Sequence, residues 1–222
     1  NAALRLLSQL ATLSLVRATG DRWELSAEGR RDALRMVRVH RIFEKYLAEQ
    51  TGVDEAAWHE EADRREHTLS TEEVEALAAQ MGDPRFDPHG SPIPTADGDI
   101  GPARGTVLAA LPVGQHAVVV HVEDEPEAVY AQLVAAGLSI GTRLRMVEVQ
   151  PTRIRIEAGG EEHVLAPVVA ANLAIVPVPA ASVEAGKSHR LSELPLGRRA
   201  QVVDIAPSCH GPQRRRLLDL GV

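Results

Sequence analysis

The residues most able to do chemistry lie in one short run, WHEEADRREHTLS at 58–70. His59, Asp63, Glu66 and His67 stand at i, i+4, i+7 and i+8, a spacing that puts all four on one face of a helix. Two imidazoles and two carboxylates converging this way form a mixed nitrogen and oxygen donor set suited to a first-row divalent cation. Upstream, His40 and Glu44 stand at i, i+4 and would bring a further imidazole–carboxylate pair from another helix. The competing reading is a solvated amphipathic helix laced with ion pairs through Arg64 and Arg65. Six such residues on two helices within 28 positions favour the metal.

Other chemistries find no footing. There is no Gly-rich phosphate loop and no His-Glu-x-x-His run. Cys209 directly precedes His210, which places the two side chains badly for a nucleophile–base pair, and the cysteine reads as inert. His89, His116, His121, His163, His189 and His210 show no ligand-like partners at helical spacing and read as surface or loop histidines. The chain therefore reads as a binding protein and not an enzyme.

The elements that must position these residues follow from periodicity. Residues 2–13 space Leu4, Leu7, Leu10 and Ala11 as a helix, residues 15–25 read as a short hairpin turning at Thr19-Gly20-Asp21, and Ser26 caps a long helix from about 27 to 48. Helix, hairpin and helix are the layout of the second half of a winged helix-turn-helix, with the first helix as recognition helix and the hairpin as wing. If Leu4, Leu7 and Leu10 pack inward, Arg5, Ser8, Gln9 and Thr12 face outward, and Arg5, Ser8 and Gln9 become the expected contacts to duplex DNA. Arg17 and Arg22 flank the wing turn and are expected to meet phosphates. A helix over 54–67 and a third from Ser70 or Thr71 to Gln80 follow. Val74, Leu77, Ala78 and Met81 form a face expected either to meet a second copy or to complete the chain's own core. Residues 83–105 are too rich in Pro, Gly and Asp for a regular element.

Charge is distributed unevenly beneath a formal net charge of −7. Residues 1–41 hold eight arginines against four acids, whereas residues 42–99 hold four Lys or Arg against fifteen acids. A basic segment suits an anion and an acidic, histidine-bearing one suits a cation. Aromatic content of 3% argues against base-stacking platforms for single-stranded nucleic acid. No apolar run approaches the ~20 residues of a membrane span. One cysteine fits a reducing cytoplasm, which is the expected location.

The C-terminal half repeats itself. Leu108-x-x-Leu111-Pro112-x-Gly114 recurs as Leu191-x-x-Leu194-Pro195-x-Gly197, and Leu133-x-x-x-Gly137-Leu138 as Leu217-x-x-x-Gly221-Val222. Strand-like alternation continues through 143–149, 153–157 and 163–165 in the first copy, with one helix near 126–136, which makes a small barrel. The second copy stops where the first continues, and the opening falls inside the first helix, so the sequence reads as cut at both ends. The expected class is α+β. It comprises a partial winged helix over 1–26, a helical metal-binding and dimerisation domain over 27–100, an SH3-like barrel over 104–179 and an incomplete second barrel over 188–222.

Four motifs in order, Leu25-Ser26-x-Glu28-Gly29, Val39-His40-Arg41-x-x-Glu44, His59-Glu60-Glu61-Ala62-Asp63-x-x-Glu66-His67-x-x-Ser70 and Asp87-Pro88-His89-Gly90-x-Pro92-Ile93-Pro94, resemble the diphtheria-toxin-repressor family over residues 2–100. These are metal-dependent bacterial transcriptional regulators that sense iron or manganese. The repeat region resembles the FeoA-like SH3 barrel, which closes many such repressors and also serves as an accessory of ferrous-iron transport. The resemblance implies a homodimer on palindromic DNA, with Asp63, Glu66 and His67 as regulatory ligands of Mn(II) or Fe(II) and His40, Glu44 and His59 as ancillary ones. It also implies a barrel acid, Glu123 or Glu125, as a further ligand, and Arg41 as an anion-contacting residue whose usual Ser and Asn partners are here Asp87 and Ser91. Asp63, a hard oxygen donor, leans toward Mn(II) or Fe(II). Imidazole ligands must be neutral, so affinity is expected to fall below about pH 6.5. An accessory module of ferrous-iron transport with a degenerate DNA-binding region is the alternative.

Overall fold

The first helix, α1 (Ala2–Thr12), leads through Ser14, in the left-handed region at φ 61°, into the hairpin β1 (Val16–Thr19) and β2 (Arg22–Leu25). Gly20, φ 64°, makes the turn that pairs Thr19 with Arg22. The long helix α2 (Ala27–Gln50) then starts at Ser26, whose hydroxyl accepts from the Gly29 amide at 2.9 Å while its own amide donates to the Leu15 carbonyl. A Cβ on Gly29 would stand 1.9 Å from that carbonyl oxygen. The Ser-x-Glu-Gly motif is thus a joint that lets the hairpin lie against the first turn of α2. Gly29→Ala should loosen it, lowering the urea midpoint by the equivalent of roughly 1–3 kcal/mol; an unchanged midpoint would show that the hairpin docks by other means.

The computed structural model describes residues 2–179, 194–199, 205, 209 and 211–219. They group into two units, the first of residues 1–46, 60–87 and 92–102, the second of residues 47–59, 88–91 and 103–222. A short 3-10 turn (Glu55–Ala57), in the second unit, precedes α3 (Trp58–Glu66), of which the first unit takes residues from Glu60 onward. The helix ends one residue before His67, earlier than its periodicity suggests. Ser70 caps α4 (Thr71–Gln80) with a reciprocal bond to Glu73. Val74 and Ala78 of α4 pack with Val39, Ile42 and Ile93 in a core that Leu69, Leu77 and Met81 border. Of the face that the sequence offers to a second copy, Val74 and Ala78 thus complete this core, and Leu77 and Met81 remain half-buried at its border. By contrast, no residue of α1 is buried, and Leu4 and Leu10 are 56% and 36% exposed where inward packing was expected. Leu7 and Ala11 of the same face are half-buried, and the chain after α1 folds back on it, the Leu15 amide donating to the Leu10 carbonyl at 2.9 Å.

The second unit is built on a six-stranded antiparallel sheet in the order β3-β8-β4-β5-β6-β7. The strands are β3 (Thr106–Val107), β4 (His116–Val122), β5 (Arg143–Gln150), β6 (Arg153–Ala158), β7 (Glu161–Leu165) and β8 (Leu173–Val178), with α5 (Glu127–Ala135) after β4 and α6 (Pro167–Ala170) after β7. Alternating residues such as Ala117, Val119, Met146, Ile156 and Ile175 fill the interior. Irregularities at Val119/His121 and Met146/Glu148 help the sheet curl. Strand β8, the partner of β4, lies beyond the strands read from sequence; its Pro177 argues locally against a strand.

The second copy of the repeat lies mostly outside the described residues, including Ala200, Val202 and Val203, the counterparts in sequence of Ala117, Val119 and Val120. Two parts are described. The Pro112–Gly114 turn closes with Gln115 donating to the Pro112 carbonyl at 3.1 Å, and Arg198 repeats this on Pro195 at 3.2 Å. Gly114 and Gly197 share φ 83°. The nine-residue α5 has a counterpart of equal length, α7 (Gly211–Asp219), at the sequence repeat's offset.

Candidate metal centre

Helix α2 sets His40 and Glu44 one turn apart, with side chains 15% and 1% exposed. Helix α3 supplies Asp63 and Glu66, three residues apart on one face. The His40 ring lies between them. Its Nδ1 is 2.9 Å from Glu66 Oε2 and 3.3 Å from Asp63 Oδ1, and its Nε2 is 3.1 Å from Glu44 Oε1. His67, just past the helix, brings Nε2 to 3.4 Å from the other Glu66 oxygen.

Two of the three carboxylates around the imidazole, Glu44 and Glu66, dictate its protonation. Burial alone would lower the His40 pKa, but hydrogen bonding and charge from Glu44, then from Glu66, outweigh it and raise it from 6.5 to about 9. The proton therefore stands where a cation would, holding mutually repelling carboxylates of two helices together. A set of imidazole nitrogens and hard carboxylate oxygens fits Mn(II) or Fe(II).

The remaining charges of α3 fit the solvated-helix reading: Arg64 pairs with Glu60 and Glu61, and the Arg65 guanidinium lies 5.9 Å from the centre of the Phe43 ring. Arg41 meets a carboxylate of its own chain. Its Nε is 3.4 Å from the buried Asp87, and its Nη1 donates to the Pro92 carbonyl at 2.6 Å. Where the resemblance puts an external anion, this chain supplies Asp87. One turn earlier, Arg38 binds both oxygens of Glu75, at 2.9 and 2.7 Å, and the Pro94 carbonyl, and holds the Glu75 carboxyl below its ordinary pKa. The two arginines tie the Pro-Ile-Pro segment to α2, on either side of buried Ile93.

A second imidazole–carboxylate cluster lies within the second unit. His59 Nδ1 is 3.1 Å from Asp124 Oδ2 and its Nε2 is 3.3 Å from Glu125 Oε1. Of the two barrel acids considered from sequence, Glu125 reaches His59, whereas Glu123 lies 3.6 Å from His121. Asp124, between them, was not singled out, because the run of three acids gives no sign of which side chain turns toward the histidine. His89 is 4% exposed and is not the surface histidine its sequence context suggests.

Among the residues expected at DNA, Arg5 and Gln9 are exposed on α1, and Ser8 donates to the Leu4 carbonyl at 2.8 Å. Arg17 pairs across the hairpin with Glu24 at 3.4 Å while 70% exposed, and Arg22 stands exposed beside the turn.

Residues 26–95 match the family profile of the iron-dependent repressor metal-binding and dimerisation domain, and residues 106–177 match the FeoA domain. An iron-dependent repressor IdeR of Mycobacterium leprae is 31% identical over 176 residues, covering 72% of this chain and 76% of that protein. A diphtheria toxin repressor of Corynebacterium glutamicum is 33% identical over 148 residues, 61% of this chain; the match spans 64% of that relative's length. The solved structure of a manganese-dependent transcriptional repressor in complex with manganese superposes with a TM-score of 0.71 at 30% identity, over 80% of this chain and 84% of that one. With both domain profiles in sequence order, the chain belongs to the diphtheria-toxin-repressor family of metal-dependent transcriptional regulators.

Proposed function

We propose that this chain carries the metal-sensing part of a homodimeric, DNA-binding transcriptional regulator of metal-ion homeostasis, activated by Mn(II) or Fe(II). The observation that carries the reading is the convergence of Glu44, Asp63 and Glu66 from two helices on the His40 ring. Asp63, Glu66 and His67 are the regulatory ligands, and His40, Glu44 and His59 the ancillary ones. Bound, the cation supplies the positive charge that the His40 proton supplies without it. Glu44 and Glu66, on different helices, fix the spacing of α2 and α3. Through Ser26 and Gly29 the same α2 carries the hairpin, so a shift of α2 is a shift of Arg17 and Arg22. DNA selects one arrangement, and the cation favours the same one by differential affinity.

Arg5 and Gln9 have donors and acceptors that match base edges; Ser8, whose hydroxyl hydrogen is used within the helix, offers an acceptor. Arg17, whose exposed pair with Glu24 is worth under about 1 kcal/mol, exchanges partners for a phosphate at little cost. The experiment is electrophoretic mobility of the protein expressed from its complete reading frame, on its own upstream DNA, with and without Mn(II) or Fe(II). Metal should shift the DNA. Arg5→Ala should weaken that site more than random duplex. Arg22→Ala should weaken all duplexes and flatten the salt dependence. Equal binding to both DNAs with saturating metal would replace the repressor by the transport-accessory reading.

A further inference from the structure

We propose that the second copy of the repeat clamps the connection between α2 and α3, seated through Gly211 on the carbonyl end of α2, and that this clamp raises metal affinity. The inference rests on the reading of the α2–α3 site as a metal sensor and gives the second copy a part in it.

The connection is closed by its own hydrogen bonds. The Thr51 amide and hydroxyl both donate to the Leu47 carbonyl, at 3.3 and 2.7 Å, and the hydroxyl accepts from the Val53 amide at 3.2 Å. The Val53 carbonyl accepts from the indole of buried Trp58 at 3.0 Å. Both copies of the repeat reach this segment, each through the same helix. In the first copy, Tyr130 of α5 donates to Glu55 at 2.6 Å. In the second, Gly211, the first residue of α7, lies against the end of α2. A Cβ on it would stand 2.2 Å from the Thr51 carbonyl oxygen and 3.9 Å from that of Ala48. Residues 47–59, α5 and α7 all belong to the second unit.

The two copies differ where this contact requires it. The offset that aligns Leu133 with Leu217 aligns Glu127, the first residue of α5, with Gly211. Glu127 is exposed, whereas Gly211 is buried. Gly211 also holds φ 58°, in the left-handed region that favours glycine. An exposed helix start in the first copy is thus, in the second, a contact with no room for a side chain. The phenol of Tyr130 has no counterpart, since Arg214 takes its place in the sequence.

Such a contact acts on metal through order. The connection carries His59 and joins the helices that bear His40, Glu44, Asp63 and Glu66. A segment already ordered by α7 costs the metal less to fix. By reciprocity, bound metal strengthens the seating of α7.

The test uses the complete protein with Mn(II) as the probe. Gly211→Ala adds one carbon and no charge. It should free α7, read as faster hydrogen exchange of the α7 amides, and lower Mn(II) affinity about fivefold or more by isothermal titration. Gln213→Ala, exposed on the same helix, should change neither. In the wild type, Mn(II) should slow exchange of the α7 amides by a comparable factor. A freed α7 with unchanged Mn(II) affinity would overturn the proposal and make the second copy a passenger. An α7 as protected in Gly211→Ala as in the wild type would overturn it too, while leaving the sensor reading intact; a wild type that binds no Mn(II) would defeat both. Should Gly211→Ala fail to fold, exchange in the wild type decides. Protection of α7 that rises with Mn(II) supports the clamp, and protection that Mn(II) leaves unchanged rejects it.

Discussion

Glu66→Ala should lower the affinity for Mn(II) and Fe(II) by about 100-fold or more, because the substitution removes a ligand and not merely a group behind one. Glu66 serves two neighbours: one oxygen lies 2.9 Å from His40 and the other 3.4 Å from His67. Its loss leaves only Asp63, 3.3 Å from His40, to carry an α3 carboxylate toward α2, and leaves His67 without its Glu66 neighbour. The side chain is 18% exposed and outside both hydrophobic cores, so the fold should survive, as far-ultraviolet circular dichroism would register. Isothermal titration measures the effect directly. Equal binding by the variant would remove Glu66, and with it the regulatory trio, from the site.

The second large effect is on protons. With its pKa raised to about 9, His40 is charged at neutral pH in the metal-free protein. A metal taking that ring must displace its proton. Titrations at about pH 7.5 in buffers of different ionisation enthalpy should therefore count close to one proton released from His40 for the metal that takes its ring, where an ordinary imidazole of pKa 6.5 would release about a tenth of one. Apparent affinity should rise about tenfold per pH unit up to about pH 9 and then level off. The sequence alone places that levelling near pH 6.5; the carboxylates around the ring move it upward. The same shift governs metal-free stability. A raised pKa means that the folded state holds the proton more tightly, so the contribution is complete below about pH 6.5 and is lost as pH rises through about 9. Glu44→Gln should weaken both effects by removing the more buried of the carboxylates that raise the pKa, and the one with the larger effect.

How much of this was legible depends on how local each cause is. The donors of α2 and α3 follow from i, i+4 spacing, because a helix fixes which residues share a face. The cap at Ser26, the break after Gln80 and the barrel strands β4 to β7 are written in short-range pattern for the same reason. What escaped was decided by contacts distant in sequence. Asp87 lies 46 positions from Arg41, which it neutralises, and nothing near it announces that role. His89 reads as a loop residue until the close approach of Gly90 to β4 and the Tyr130 and Trp58 rings bury it. The Val74 and Ala78 face illustrates the reverse: periodicity reveals an apolar face without saying whether the chain's own core or a second copy covers it. Here the core does. The exposed leucines of α1 show the complementary limit, since amphipathicity describes a face and not its cover.

The central claim is that metal at the α2–α3 site and DNA binding are one equilibrium. It is tested most directly by measuring DNA affinity against Mn(II) concentration for the wild type and Glu66→Ala side by side, using the complete protein and its own upstream DNA. Coupling predicts that the wild type gains affinity as metal saturates it. The variant should require about 100-fold more metal for the same gain, with the two proteins binding equally weakly when metal is absent. Identical metal dependence in both proteins, or DNA binding by the wild type that metal does not change, would contradict the account.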